Sequence, residues 1–189
     1  MARGRLRLSF NSPVILIFVG LCAIATFWGQ ATDGVATKAF FMTYRTSLFD
    51  PLMYVRLFTH VLGHASWEHF TNNMTIILLL GPLLEEKYGS RPLAKVMVAS
   101  ALATGIVNDV FFPNQALCGA SGICFTFILL SSITQLRGGD IPLTFILVAI
   151  FFLGQQVIQG FTTQDNISYL SHVIGGVIGA IAGFGVFRK

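Results

Sequence analysis

A serine, three histidines and an asparagine carry the residue types that acyl-transfer chemistry requires. Ser121 lies in the run Gly119-Ala120-Ser121-Gly122, whose small residues leave the hydroxyl uncrowded and let another backbone approach. A helix that begins here would add free N–H groups and a positive dipole end, which suit a developing oxyanion. The same run is also typical of plain helix packing in membranes, so on its own it leaves both roles open.

His172 is the candidate general base for Ser121. It is followed by Gly175, Gly179 and Gly183 at intervals of four, which form a stripe along one helix face. Such a stripe lets two helices approach more closely than the usual spacing of about 8–10 Å. The short serine side chain needs that approach to reach an imidazole. The alternative is a structural histidine that is bonded to a loop carbonyl.

A second histidine group offers hydrogen-bond donors. His69 and Asn73 are four residues apart, so their side chains share one helix face, and His64 precedes them. Donors that converge on one point stabilise the oxyanion of a tetrahedral intermediate, and losing one costs about 10²–10³ in rate. His64, His69 and His172 are also possible metal ligands. Because no zinc-site spacing accompanies them, we predict neither a metal nor any other cofactor.

The surroundings of the serine raise two further questions, about the base and about the thiols. No acidic residue is obviously placed to orient His172, so a Ser–His dyad is expected rather than a triad. Phe125 follows Ser121 by four residues, on the same helix face, and is a candidate ring on which His172 stacks. Cys118 and Cys124 flank the serine, so a thiol nucleophile is an alternative. Their apolar settings favour small buried hydrophobic side chains instead.

The composition indicates an integral membrane protein. The 189 residues are 54% hydrophobic and 11% charged, whereas soluble domains carry about 25% charged residues. The basic residues fall at the ends of apolar segments and form no patch, which argues against binding of nucleic acid. The odd number of cysteines, 3 in all, argues against a disulfide framework.

Three of the polar residues are expected at one depth in the membrane. Each lies sixteen residues before a charge that ends an apolar stretch: Ser121 before Arg137, His172 before Arg188, and His69 before Glu85. Sixteen helical residues rise about 24 Å, so in a hydrocarbon core about 30 Å thick they would lie about 6 Å inside the outer face. A polar cavity that opens outwards can supply water at that depth.

The predicted fold is all-α: a polytopic membrane protein with six transmembrane helices in a single domain, residues 1–189. The six apolar segments are 14–31, 67–84, 93–112, 119–136, 141–161 and 168–187. The basic residues place the short N-terminal segment 1–12 and the C-terminus in the cytoplasm.

The first outer connection, residues 32–66, is long and mixes aromatic residues with arginines. That composition favours the headgroup layer, so we predict short helices that lie partly in the outer leaflet. Asp50-Pro51 is a good helix start, with Asp as the cap and Pro in the first turn. An ordinary packed loop is the alternative.

Together these residues resemble the rhomboid family of intramembrane serine proteases, most closely bacterial rhomboids of the GlpG type. The resemblance covers residues 54–183 and rests on His64, the pair His69 and Asn73, the G-A-S-G run around Ser121, and His172 followed by Gly175 and Gly179. It implies that Ser121 is the nucleophile and His172 the general base. It implies an oxyanion hole formed by His69, Asn73 and the Ser121 N–H, with His64 supporting it as the second-helix histidine of the family.

The resemblance also implies substrates that are transmembrane proteins, contact with membrane lipids, and a bacterial inner membrane with the site open to the periplasm. Two residues depart from the family: Val55-Arg56 stands where Trp-Arg is frequent, and Phe125 stands where some bacterial relatives carry Tyr. Two other functions stay open, a catalytically silent rhomboid-like protein that binds membrane helices and a small transporter that relays protons through histidines. The sequence assigns no oligomeric state and no natural substrate.

Overall fold

A computed structural model describes residues 10–133, 141–162 and 166–186, and these residues are mostly helical. The helices are α1 Pro13–Ala31, α2 Val35–Phe40, α3 Pro51–Thr59, α4 Trp67–Tyr88, α5 Ser90–Phe111, α6 Ser121–Ser132, α7 Leu143–Val148, α8 Gly154–Thr162 and α9 Asn166–Ile181. Turns of π-helix follow α7 at Ala149–Leu153 and α9 at Ala182–Val186. The first of them joins α7 and α8 into one helical stretch.

The helix bounds follow the predicted apolar segments closely, except at the fourth. Within residues 10–133, 141–162 and 166–186, two helices, α1 and α5, are long and apolar enough to cross a membrane by length and composition. The fourth helix, α6, begins at Ser121 rather than at Gly119, because Gly119 has a φ of +116° and cannot continue a helix backwards. The predicted end of that segment, its charge Arg137, the charge Arg188 and residues 1–9 lie outside the described residues.

Helix α6 lies at the centre of the described bundle, against α4, α5 and α9. Its apolar side chains are buried on several sides, as expected for a helix that is hydrophobic around its circumference. Two glycines of α9 make the closest approach. A β-carbon added at Gly175 would collide with the carbonyl oxygen of Gly122, and one at Gly179 with that of Thr126. The two backbones therefore touch directly, without intervening side chains.

The carboxylate of Glu85 ties α1 to α4. It accepts hydrogen bonds from the N–H groups of Val14 at 3.0 Å and Ile15 at 3.1 Å, and from the Ser90 hydroxyl at 2.6 Å. The two N–H groups are at the start of α1, where no partner within the helix is available and where negative charge is favoured. The Ile15 side chain packs on Gly81, where an added β-carbon would lie 2.6 Å from Ile15 Cδ1.

The outer connection contains the predicted short helices, α2 and α3, and the predicted cap of α3. The Asp50 carboxylate accepts from the Leu52 N–H at 3.0 Å, and a proline occupies the first helical position. Buried Arg56 pairs with Asp50 at 2.9 Å and lies 4.4 Å from the Tyr44 ring centroid. A hydrogen bond from Thr46, together with the bond from Leu52 and the charge of Arg56, lowers the pKa of Asp50. These contacts organise the connection from within.

A buried polar cluster at the end of α5 holds the chain that leads to Ser121. The Thr43 hydroxyl lies 2.9 Å from a carboxylate oxygen of Asp109, and the Asn108 side-chain amide donates to the Gln115 carbonyl at 3.2 Å. Thr43 and Leu117 exchange two backbone hydrogen bonds of 2.9 Å in an isolated antiparallel bridge. The first outer connection and the loop before α6 are therefore joined.

Candidate active site

The loop before α6 brings its backbone against two side chains of α4. The Gly119 N–H donates to the His60 carbonyl at 2.9 Å, and its φ of +116° is accessible mainly to glycine. A β-carbon at Gly119 would lie 2.6 Å from His69 Cε1, 2.7 Å from His69 Nε2 and 3.6 Å from Asn73 Nδ2. Only a glycine allows this approach. His69 and Asn73 thus lie beside the backbone two residues before Ser121.

Asn73 presents a buried donor towards this loop. The Cys124 thiol lies 3.6 Å from Asn73 Oδ1 and 3.5 Å from the Asn73 carbonyl, so the side-chain amide turns its oxygen to α6 and its nitrogen away. Within the described residues, no acceptor reaches Asn73 Nδ2. A buried unsatisfied group costs about 1–3 kcal/mol, so such groups mark places where a ligand or water supplies the missing partner.

His64 is buried beside His69, but it lies in the loop before α4 and not on the second long helix, which corrects the location that the resemblance implied. Its Nδ1 atom is 3.3 Å from the Thr26 hydroxyl and 3.2 Å from the Leu62 carbonyl. Its ring meets the His69 ring edge-on, with the centroids 5.1 Å apart. Burial, with a smaller contribution from His69, lowers the pKa of His64 to about 4, so its imidazole is neutral at pH 7.

The His172 imidazole extends from α9 and packs against α6, one turn after Ser121. It stacks on the Phe125 ring with the centroids 4.3 Å apart and the planes 8° from parallel. Phe125 follows Ser121 by four residues, so both belong to one face of α6. The Ser171 carbonyl would lie 3.6 Å from a β-carbon at Gly122, beside the serine. The glycine contacts of α9 with α6 are what allow the imidazole to reach this face.

The Rhomboid domain family matches residues 51–189 of the chain. The chain belongs to the rhomboid family. Rhomboid-related protein 2 of mouse is 25% identical to this rhomboid over 93% of the chain and 64% of its own length. Rhomboid-like protein 11, chloroplastic, of Arabidopsis thaliana is 21% identical over 62% of the chain and 47% of its own length. The rhomboid chain therefore spans less than two thirds of either relative.

The sequence analysis found no partner for His172 and did not pair it with Gln156. In this rhomboid, the Gln156 Oε1 atom lies 2.6 Å from His172 Nδ1, and Gln156 itself is buried. Gln156 lies on α8 and His172 on α9, and these two helices pack against each other. The available signal was an amide within an otherwise apolar segment, since an uncharged polar group in a membrane helix generally needs a partner.

The two thiols near Ser121 of this rhomboid are poorly suited to act as nucleophiles. Burial raises the pKa of the Cys118 thiol to about 11, and a protonated thiol is a poor nucleophile. The Cys124 thiol is directed to Asn73. The alternative of a cysteine nucleophile is therefore disfavoured relative to Ser121.

The predicted site residues of this rhomboid fall into two groups around α6. In the first group, His64, His69 and Asn73 lie with Gly119 at the loop that precedes the helix. The second group is His172 and Phe125, whose rings are stacked. The glycines Gly175 and Gly179 lie in the α6–α9 contact, where added β-carbons would meet Gly122 and Thr126. Gly183, in the π turn after α9, extends this contact, because an added β-carbon there would meet Ile133.

Proposed function

We propose that this rhomboid is an intramembrane serine endopeptidase that uses Ser121 as nucleophile and His172 as general base. The observation that carries the proposal is the stack of His172 on Phe125, one turn from Ser121 on the same helix face. A general base must come within hydrogen-bond reach of the proton it removes. The direct backbone contact between α6 and α9 supports that reach, since it brings the short serine side chain and the imidazole to adjoining helices.

The proposed reaction follows the acyl-enzyme route. Ser121 Oγ attacks the scissile carbonyl carbon while its proton passes to His172 Nε2, and the carbonyl oxygen becomes an oxyanion. The Ser121 N–H, the His69 imidazole and Asn73 Nδ2 donate hydrogen bonds to that oxyanion, with His64 supporting His69. His172 then protonates the leaving amine. Water then attacks the acyl ester while His172 takes its proton. The bond between the acyl carbon and Ser121 Oγ breaks as His172 passes that proton to Oγ, so the carboxylic acid leaves and both residues return to their starting state.

The side-chain nitrogen of Asn73, which no acceptor among the described residues reaches, supports the proposed oxyanion hole. Its amide is oriented by Cys124, and the approach to Gly119 directs it at the backbone just before the serine. A preorganised donor needs no reorganisation when charge develops, which is the condition under which it stabilises a transition state most. Losing one such donor costs about 10²–10³ in rate.

We further propose that the chain is one rhomboid domain of six spans, of the bacterial GlpG type, in an inner membrane. In this arrangement both termini are cytoplasmic and the site opens to the periplasm, through which water arrives. The substrates are transmembrane proteins, which reach the site among the membrane lipids. Because a helix shields its own carbonyls, cleavage requires a segment that unwinds, so glycine or proline near the outer end of a substrate span favours it.

Cleavage of a labelled model membrane segment, in liposomes, tests this function. Ser121→Ala and His172→Ala are expected to abolish cleavage, and a fluorophosphonate probe is expected to label the wild type but not Ser121→Ala. Ser132→Ala is the matched control, because its hydroxyl, also on α6, donates to the Leu129 carbonyl of its own helix. A folded wild-type protein that neither cleaves the segment nor reacts with the probe would instead be a silent protein that binds membrane helices.

A further inference from the structure

The contact between His172 and Gln156 defines where the imidazole carries its hydrogen. Gln156 Oε1 lies 2.6 Å from His172 Nδ1, and an amide oxygen can only accept. Nδ1 must therefore donate, so in the neutral ring the lone pair is on Nε2. A histidine that removes a serine proton through Nε2 needs that tautomer, and holding the wrong one costs a serine hydrolase heavily.

We propose that Gln156 is a positioning residue that holds His172 in the tautomer and orientation required of the general base. This inference rests on the proposed protease function. Gln156 Oε1 accepts a hydrogen bond from Nδ1–H in the resting enzyme and still accepts it after Nε2 has taken the serine proton, so the imidazolium remains anchored. The amide occupies the place that a carboxylate takes in a Ser–His–Asp triad, but it has no formal charge.

The ring is held from two directions, by a stacking contact on one face and by a hydrogen bond at Nδ1. Phe125 covers one face of the imidazole in parallel stacking. Gln156 anchors the Nδ1 edge from α8. A stacked imidazole can still adopt two orientations that differ by a 180° flip about its Cβ–Cγ bond, and a hydrogen bond at Nδ1 selects one of them. The packing contact and the hydrogen bond therefore complement each other.

The elements packed on α9 contribute few charges that could take over this role. The ranges 121–132 and 143–162 contain no Asp, Glu, Lys or Arg, and 166–181 contains none either. Two titratable groups lie on α9 and α6: the Tyr169 ring is edge-on to His172 with the centroids 6.4 Å apart, and the Cys124 thiol is directed to Asn73. The others are on α5, namely Asp109, Arg91 and Lys95. The Asp109 carboxylate accepts from Thr43 and Asn108.

Because Gln156 belongs to α8, the orientation of His172 depends on the position of α8. Gln156 lies on α8, which continues from α7 through the π-helical turn Ala149–Leu153. The π turn meets α9 closely, since a β-carbon at Gly176 would lie 2.5 Å from Leu153 Cδ2. Displacement of α8 from α9 would remove the Nδ1 acceptor. The proposed tautomer is thus maintained only while α8 is docked.

The test compares Gln156→Leu and Gln156→Glu with Gln155→Leu by measuring cleavage of the labelled membrane segment against pH. Gln156→Leu removes the hydrogen-bond acceptor. This variant is expected to lower kcat about tenfold with KM unchanged, because a tenfold loss corresponds to the free energy of one hydrogen bond. Gln155 is the matched control because it is exposed, and Gln155→Leu is expected to retain wild-type kcat.

Gln156→Glu distinguishes a positioning role from a merely structural one, because a merely structural role would leave the pH dependence of kcat/KM unchanged. A carboxylate beside Nδ1 stabilises the imidazolium, so the acid limb of kcat/KM is expected to shift to higher pH by about one to three units. An unshifted limb in Gln156→Glu, or an unchanged kcat in Gln156→Leu, would overturn the inference while Ser121-dependent cleavage by the wild type stands. Absence of that wild-type cleavage would instead overturn the proposed function.

Discussion

Acidification is expected to destabilise the protein through His60, a buried histidine directly behind the site. His60 caps the end of α3, with Nδ1 3.2 Å from the Arg56 carbonyl and Nε2 3.3 Å from the Thr104 hydroxyl. Its own carbonyl accepts from the Gly119 N–H at 2.9 Å. Burial lowers the pKa of His60 from 6.5 to about 4. His60 therefore connects a neutral imidazole to the position of the loop that precedes Ser121.

The magnitude follows from the difference in proton binding between the folded and unfolded states. At neutral pH both states hold His60 without a proton, so the folded state incurs no penalty. As the pH falls below 6.5, the unfolded chain binds a proton that the folded protein excludes until the pH is about 4. The free energy of unfolding therefore falls across this window, and the total loss approaches about 3 kcal/mol.

The assay is reversible unfolding of the purified protein in detergent micelles, measured from neutral pH to about pH 4 for the wild type and His60→Gln. Glutamine retains a donor and an acceptor but does not titrate. The variant is expected to be less stable at neutral pH, yet to lose about 3 kcal/mol less on acidification. An equal acid-induced loss in the two proteins would refute the assignment of this window to His60.

Two further predictions concern the neighbours of α6. Gly179→Ala drives a methyl group into the Thr126 carbonyl and is expected to lower the free energy of unfolding by about 1–3 kcal/mol. Gly20→Ala is the matched control in the same unfolding assay, because it makes the same exchange within helix α1 with no atom within 4 Å of the added carbon. Cys124→Ala frees the Asn73 amide to rotate, so kcat for membrane-segment cleavage is expected to fall about tenfold, less than the loss of a whole oxyanion donor. Equal stability of the two glycine variants, or an unchanged kcat without the thiol, would contradict the packing and the orienting role, respectively.

Local patterns were predictable because they depend on residues close together in the chain. The Asp50-Pro51 helix start appears as the cap of α3, and the predicted 14–31 segment differs by one residue from α1, Pro13–Ala31. The spacing of His69 and Asn73 sets them on one face of α4 through helical geometry alone. The choice of the rhomboid family, read from such motifs, is confirmed by the match over residues 51–189.

Contacts between distant segments were not predictable in the same way. The hydrogen bonds of Glu85 with Val14 and Ile15 join residues that are 71 and 70 positions apart, and the apolar sequence at the start of α1 does not predict them. The thiol of Cys124 was interpreted as a small hydrophobic group, yet it lies at the Asn73 amide, 51 residues away.

The amino-acid sequence alone determined which chemical groups are present, how they are spaced along each helix, and that the chain is too apolar for an ordinary soluble domain. The tertiary structure decided which helix faces meet, and so which groups become partners: Gln156 with His172, and Asn73 with Cys124. The physical reason is that lipid-facing and core-facing side chains in such a chain are both apolar. Hydrophobic periodicity therefore does not report the rotation of each helix, which follows from close packing and from the pairing of the few polar atoms.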